Sequence, residues 1–150
     1  MEIRKARPED IPTLRDLRMQ QLIDEGASPD TDIGPAIDAF FRRMMAEDRV
    51  VEFVAEEGGV LVATGALCIY DLPPSFSNPS GKLAYIANMY THPDFRRQGL
   101  ATAILARLDE ECRLRNLPYL LLASSKWGRP VYERYGFRQE DRWYSLGPAD

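Results

Sequence analysis

The sequence predicts a mixed α/β (α+β) fold on a central, mostly antiparallel sheet. Three observations carry this. The hydrophobic period switches between about 3.6 and 2 residues along the chain, giving the order β-α-α-β-β-β-α-β-α-β. The first half is rich in hairpin signals, which favour antiparallel pairing. A long amphipathic segment then leads into the almost wholly apolar stretch Pro118 to Ala123. That is the pattern of a right-handed parallel crossover with a strand buried on both faces. The 150 residues have the size of one domain, and a single domain over 1–150 is expected.

Each element has a local reason. Glu2 to Ala6 alternates polar and apolar, a short strand. Pro8-Glu9-Asp10 opens a helix, since proline suits the first turn and acids suit its positive end. Ile11, Leu14, Leu17 and Leu22 continue it at helical spacing until Gly26. A second helix is expected over about Ile33 to Glu47, with Ile37, Phe40, Phe41, Met44 and Met45 inward. Arg49 to Ala55 reads as a strand, Glu56-Glu57-Gly58-Gly59 as a turn and Val60 to Tyr70 as a longer strand. Asp71 to Lys82 carries three prolines and reads as a loop, of a length often used functionally. Leu83 to Thr91 returns to strand, and Leu100 to Arg115 is the long helix, with Ile104, Leu105 and Leu108 inward. A short helix over about Gly128 to Tyr135 stops at Gly136, and Phe137 to Leu146 reads as closing strands.

Composition narrows the function. A net charge of −4 argues against nucleic acid as the main partner, because phosphate binding needs a dominant basic face. Cys68 and Cys112 lie in apolar stretches without a C-x-x-C spacing, and the lone His92 excludes a multi-histidine metal centre, so no metal is expected. No apolar run approaches the roughly 18 residues of a membrane span, and the charged opening Met1 to Arg7 is unlike a signal peptide. A cytoplasmic protein with no membrane association is expected.

Residues 96–102 read Arg-Arg-Gln-Gly-Leu-Ala-Thr between a strand and a helix. Gly99 and Ala101 let a ligand approach the backbone. The first N–H groups of the helix lack intrahelical acceptors, and with the helix dipole they suit an anion such as phosphate. The heptad is neither a Walker A loop nor a dinucleotide glycine motif.

Asn88 to Ala101, NMYTHPDFRRQGLA, resembles the central motif of the GCN5-related N-acetyltransferase (GNAT) family, whose Gln/Arg-x-x-Gly-x-Gly/Ala pattern Arg96, Gly99 and Ala101 fill. Ile3-Arg4-Lys5-Ala6 with Pro8-Glu9-Asp10 is similar to the family's opening, and Val131 to Phe137, VYERYGF, to its late element. The resemblance implies an acyl-CoA N-acyltransferase fold with helices on both sheet faces and a parallel strand pair splayed at a β-bulge. It implies acetyl-CoA (coenzyme A) as co-substrate. The backbone of Arg97, Gln98, Gly99, Leu100, Ala101 and Thr102 would hold the pyrophosphate, and that of Met89, Tyr90 and Thr91 the pantetheine arm. A bulge there leaves N–H and C=O groups free for the arm's amides.

Acetyl transfer to an amine needs a neutral amine, a donor for the oxyanion and a proton for the leaving thiolate. The resemblance implies an N–H near Met89 or Tyr90 as the oxyanion donor and Tyr132 as the general acid. Read without the resemblance, Tyr132 is a packed aromatic near Tyr135 and Phe137. No base is evident: where some relatives carry Glu after the long helix, this chain has Leu120. Asp71 and Glu52 are the weak alternatives, with a water chain as the third. Ser125 stands where many relatives have a cofactor-contacting Asn, and its hydroxyl can still donate one bond. Lys126 and Arg129 read as solvated side chains, with an approach to the cofactor phosphates as the alternative, and Met44 and Met45 read as buried helix stripe, with a substrate pocket as the alternative.

The expected activity is therefore direct acetyl transfer to a small-molecule or peptide amine in a ternary complex. A non-catalytic acyl-CoA-binding sensor is the alternative. The family's habit allows a homodimer, for which exposed final strands would offer an edge.

Overall fold

The computed structural model describes residues 1–148. Five strands form one sheet in the order β1-β2-β3-β4-β5. They span Glu2–Lys5 (β1), Val50–Glu57 (β2), Val60–Asp71 (β3), Lys82–Thr91 (β4) and Leu120–Leu122 (β5). The four helices are Ile11–Asp24 (α1), Gly34–Ala46 (α2), Leu100–Leu114 (α3) and Arg129–Tyr135 (α4), with short 3-10 turns at Pro8–Asp10 and Pro93–Phe95. Strands β1 to β4 pair antiparallel, and β5 joins β4 in parallel.

Strand alternation divides the core into two layers. On one face Val51, Phe53, Leu67 and Ile86 meet Ile104, Leu105 and Leu108 of α3. On the other, Val50, Val54 and Ala66 meet Ile11 and Leu14 of α1 and Phe41 of α2. Helices thus cover both faces. Met44 and Met45 pack in this second layer, so they serve the core. Gly58 and Gly59 turn β2 into β3 with φ of 56° and 83°, a left-handed pair that L side chains rarely adopt. At the edge, Arg4 of β1 bonds Asp10 at 2.8 Å and Glu56 at 3.0 Å, tying the strand to the turn before α1.

The 71–82 loop is internally braced. Asn78, 8% exposed, donates from Nδ2 to the Lys82 carbonyl at 3.0 Å, and Ser75 pairs with Asn78.

Two expectations are corrected. The stretch 118–123 yields only Leu120–Leu122 as strand, and it is half-buried rather than covered on both faces. Pro118 and Tyr119 are exposed, which leaves them outside the layered core. No strand forms in the described residues after α4. Of the stretch from Phe137 to Leu146, Phe137 alone packs on the core, and 138–148 is exposed. Strand-favouring residues form a strand only where a ladder partner exists, and the three residues of β5 offer little edge.

Candidate active site

Strand β4 carries the central irregularity. Ala66 of β3 faces Ala87 while Thr64 faces Tyr90, so β4 spends one extra residue there. This is a β-bulge at Asn88 and Met89, in the part of the strand where the family resemblance implies one. Asn88 takes φ of 59°, a left-handed conformation that asparagine tolerates better than most residues. On the other side, β4 pairs with β5 through Ala84, Tyr85 and Ile86 only. Beyond Ile86 the two strands have no ladder, and the edge from Ala87 to Thr91 faces the gap.

The bulge is clamped from both faces. On the α1/α2 face, Asn88 Nδ2 donates to Glu52 Oε1 at 2.6 Å, and Thr64 Oγ1 donates to the Asn88 carbonyl at 2.9 Å. Glu52 and Thr64 are each 1% exposed. Glu52 lies opposite Ala66, which lies opposite Ala87, so the Glu52–Asn88 bond passes over β3 above an alanine. Two strand spacings, about 10 Å, are bridged by these two side chains only because nothing larger stands between. Burial pushes the Glu52 carboxyl up to about 8, opposed by the Asn88 bond and the charge of Arg18. On the α3 face, Met89 packs with Ile104 and Leu108 over Gly65.

Further along β4, Tyr90 points at α1, where its hydroxyl donates to Asp24 at 3.1 Å. Arg96 turns back to the same place: Nε donates to the Thr91 carbonyl at 2.9 Å, and the guanidinium lies 5.9 Å from the Tyr90 ring centroid. The Thr91 carbonyl is therefore engaged within the protein, and Met89 and Tyr90 are the freer part of the expected trio.

Arg97, Gln98 and Gly99 lead into α3. Arg97 and Gly99 both have left-handed φ, 63° and 79°. Gly99 is the N-cap residue, and its carbonyl accepts from Ala103 N–H at 3.0 Å. No atom lies within 4 Å of where a β-carbon at Gly99 would stand, so this backbone fronts open space. Leu100 is buried and anchors the helix start, while Ala101 is half-buried and Thr102 exposed. Two left-handed residues ahead of unpaired helical N–H groups make a concave donor cluster fit for a phosphate group.

Tyr132 of α4 packs edge-on to Phe137, ring centroids 6.0 Å apart, and its hydroxyl makes no hydrogen bond among the described residues. Burial raises its pKa, and the charge of Glu25 and nearby Tyr85 add to this, so the phenol holds its proton. Gly128 leaves room for it: a β-carbon there would stand 2.8 Å from the ring. A cleft of about 420 Å³ runs past Tyr132 along β5, lined also by Tyr70, Tyr85 and Ala123. Tyr135 is used elsewhere, donating to Asp109 of α3 at 2.8 Å. Ser125 caps the turn before α4: its Oγ accepts from Gly128 N–H at 3.2 Å, which leaves its own proton to give.

Asp71 is remote from this arrangement. It is exposed, bonded to Lys82 at 3.0 Å and Arg49 at 3.1 Å, and those bonds hold its carboxyl below the usual range. It is a surface ion pair and no base. Lys126 lies on Trp127, 4.9 Å from its ring centroid, whereas Arg129 lines the cleft. Cys68 is driven up to about 11, mainly by burial, and stays a thiol. No cluster of metal-ligating side chains exists among the described residues. No described helix is long and apolar enough to cross a membrane.

Sequence reasoning missed how Asn88 is held. Its partner Glu52 lies 36 positions away, and only the small residue at Ala66 hints at the bridge.

Comparison with known proteins agrees with this architecture. A predicted acetyltransferase from Clostridium acetobutylicum, solved with acetyl-CoA, is 42% identical, covering 97% of this chain and 95% of that one with a TM-score of 0.93. A GCN5-related N-acetyltransferase from Ralstonia eutropha JMP134 shares the fold at 24% identity and a TM-score of 0.87, with 97% of each chain covered. A glucosamine 6-phosphate N-acetyltransferase of Trypanosoma brucei brucei is 29% identical over 90 residues, which span 60% of this chain and 59% of that protein. The acetyltransferase (GNAT) family model matches residues 12–137, taking in the bulged strand, the head of α3 and Tyr132, and the chain belongs to that family.

Proposed function

We propose that this protein transfers the acetyl group of acetyl-CoA to the primary amine of a small-molecule or peptide acceptor, by direct attack with both substrates bound. The observation that carries the reading is the break in β4–β5 pairing after Ile86, beside the open helix head at Gly99. A flexible cofactor with a diphosphate at one end and an amide-bearing arm at the other fits both features. The relative from Clostridium, 42% identical and solved with acetyl-CoA, supports the same cofactor here.

The roles follow from position. The amides from Arg97 to Thr102 receive the diphosphate, favoured by the helix dipole. Met89 and Tyr90 offer backbone groups to the arm, with an N–H at the bulge set for the oxyanion. Ser125, across the gap, contributes its free hydroxyl proton to the arm. Tyr132 holds a proton within the cleft and gives it to the departing sulfur. Neither cysteine sits where a thiolate is stabilised, which favours direct attack over a covalent relay.

The relative from Trypanosoma is named for glucosamine 6-phosphate, an amino sugar. That supports an amine acceptor without specifying its kind. The test is a panel of amines incubated with acetyl-CoA, with free thiol release as the signal. Turnover on any amine, lost in Tyr132→Phe, supports the reading. Calorimetric binding of acetyl-CoA with no turnover on the panel favours a sensor instead, and no binding overturns both.

A further inference from the structure

The unsatisfied atoms of the buried Glu52–Asn88 pair form a matched set. Asn88 Nδ2 already donates to Glu52 Oε1. The two remaining oxygens, Glu52 Oε2 and Asn88 Oδ1, are both buried and both lack a donor. A bare carboxylate oxygen in an apolar layer is costly, and so is a bare amide oxygen beside it. One proton on Oε2 answers both needs. A carboxylic acid and a primary amide pair through two bonds: amide N–H to acid carbonyl, and acid O–H to amide carbonyl.

We propose that Glu52 is a positioning residue, held as a neutral acid that shares its proton with Asn88 and so locks the β4 bulge in the form that opens the gap toward β5. The catalytic part of this rests on the reading that the gap receives the thioester arm. The surroundings favour the neutral form. From α1 the nearby charge is Arg18, from β3 the titratable neighbour is the Cys68 thiol, itself neutral, and α2 brings apolar Phe41 into the layer. Burial outweighs Arg18 and pushes the carboxyl up to about 8. When the proton leaves, Oε2 becomes an anion beside the acceptor Oδ1, and the clamp on Asn88 weakens. Glu52→Gln keeps the ring: its amide N–H takes the place of the acid O–H and has no proton to lose in this range.

The experiment uses the full chain without ligand. Infrared difference spectra between wild type and Glu52→Gln at neutral pH are expected to show the carbonyl band of a protonated carboxylic acid, fading as pH rises past about 8. Over the same range the backbone amide resonances of Met89 and Tyr90 should shift in wild type and stay still in Glu52→Gln. Carboxylate bands alone at neutral pH, as expected if a bridging water supplies the donors instead, would overturn the proposal. So would bulge resonances that titrate equally in both variants. Acetyl-CoA affinity, measured in parallel, should fall about tenfold between pH 7 and pH 9 in wild type and hold within about twofold in Glu52→Gln. Absence of acetyl-CoA binding at every pH, with the band and the shifts as expected, strikes the cofactor reading and leaves the clamp supported.

Discussion

Gly65 and Met89 interlock across β3 and β4: a β-carbon at Gly65 would collide with Met89 Sδ and stand 2.6 Å from Ile104 Cγ2. The missing side chain is the space into which the bulge drops its methionine. Gly65→Ala should cost about 1–3 kcal/mol, the range for overpacking a filled core. Urea denaturation measures it. Gly65→Val should cost more and also weaken acetyl-CoA binding, because Met89 can no longer hold its side of the bulge. An unchanged midpoint for both variants would show that the layer repacks freely.

Gly99→Glu tests the helix head. The position has φ of 79° and open space beyond, so the substitution meets no neighbouring side chain. Its cost has two sources: a left-handed φ for a residue with a β-carbon, about 1–2 kcal/mol, and a carboxylate set against the expected diphosphate site. Acetyl-CoA affinity should drop by at least tenfold, about 1.4 kcal/mol, in calorimetry. Gly99→Ala carries the strain alone and should lie between. Equal affinity in all three would move the phosphate site elsewhere.

Tyr132→Phe removes the phenol and keeps the ring on Phe137. General acids contribute about 10²–10⁴-fold, so kcat should fall by that order while the KM for acetyl-CoA holds. Unchanged turnover would mean that the hydroxyl takes no part in the chemistry and that Tyr132 serves by packing on Phe137.

The buried carboxyl makes stability depend on pH with a definite sign. The Glu52 carboxyl sits at about 8 when folded, against an ordinary 4.5. Between those values the folded state binds the extra proton, so stability falls as pH rises through the window and levels off above it. The contribution is full below the ordinary value. In urea titrations from pH 5 to pH 9 the wild type should lose a few kcal/mol more than Glu52→Gln. Parallel curves for the two variants would show that Glu52 titrates normally.

The parts of the fold set by local chemistry were legible in the sequence. α3 begins at Leu100 because Gly99 breaks the chain there and Ile104, Leu105 and Leu108 share one face. The bulge was expected from the family resemblance alone, since nothing local in Asn88 to Thr91 marks it. The pairing of Glu52 with Asn88 was not legible, because it depends on register across three strands and on an alanine between them. Read alone, Glu52 is one of many acids, and its burial comes only with α1 and α2 in place. The closing segment failed for the opposite reason. Its aromatic and aliphatic residues suggested strands, but a strand needs an edge to join, and β5 ends after Leu122.

Sheet order follows chain order, and β5 alone arrives by a crossover. The meander from β1 to β4 is built from near neighbours in the chain, so it can assemble before β5 finds its place. The three residues of β5 are then expected to close the sheet late and open it early. Among the strands, hydrogen exchange should be slowest at Val54 and Leu67 and quickest at Leu120 to Leu122. The cleft beside Tyr132 thus borders the most weakly latched seam of the sheet, where the cost of opening is small and a ligand lodged there would be felt as protection.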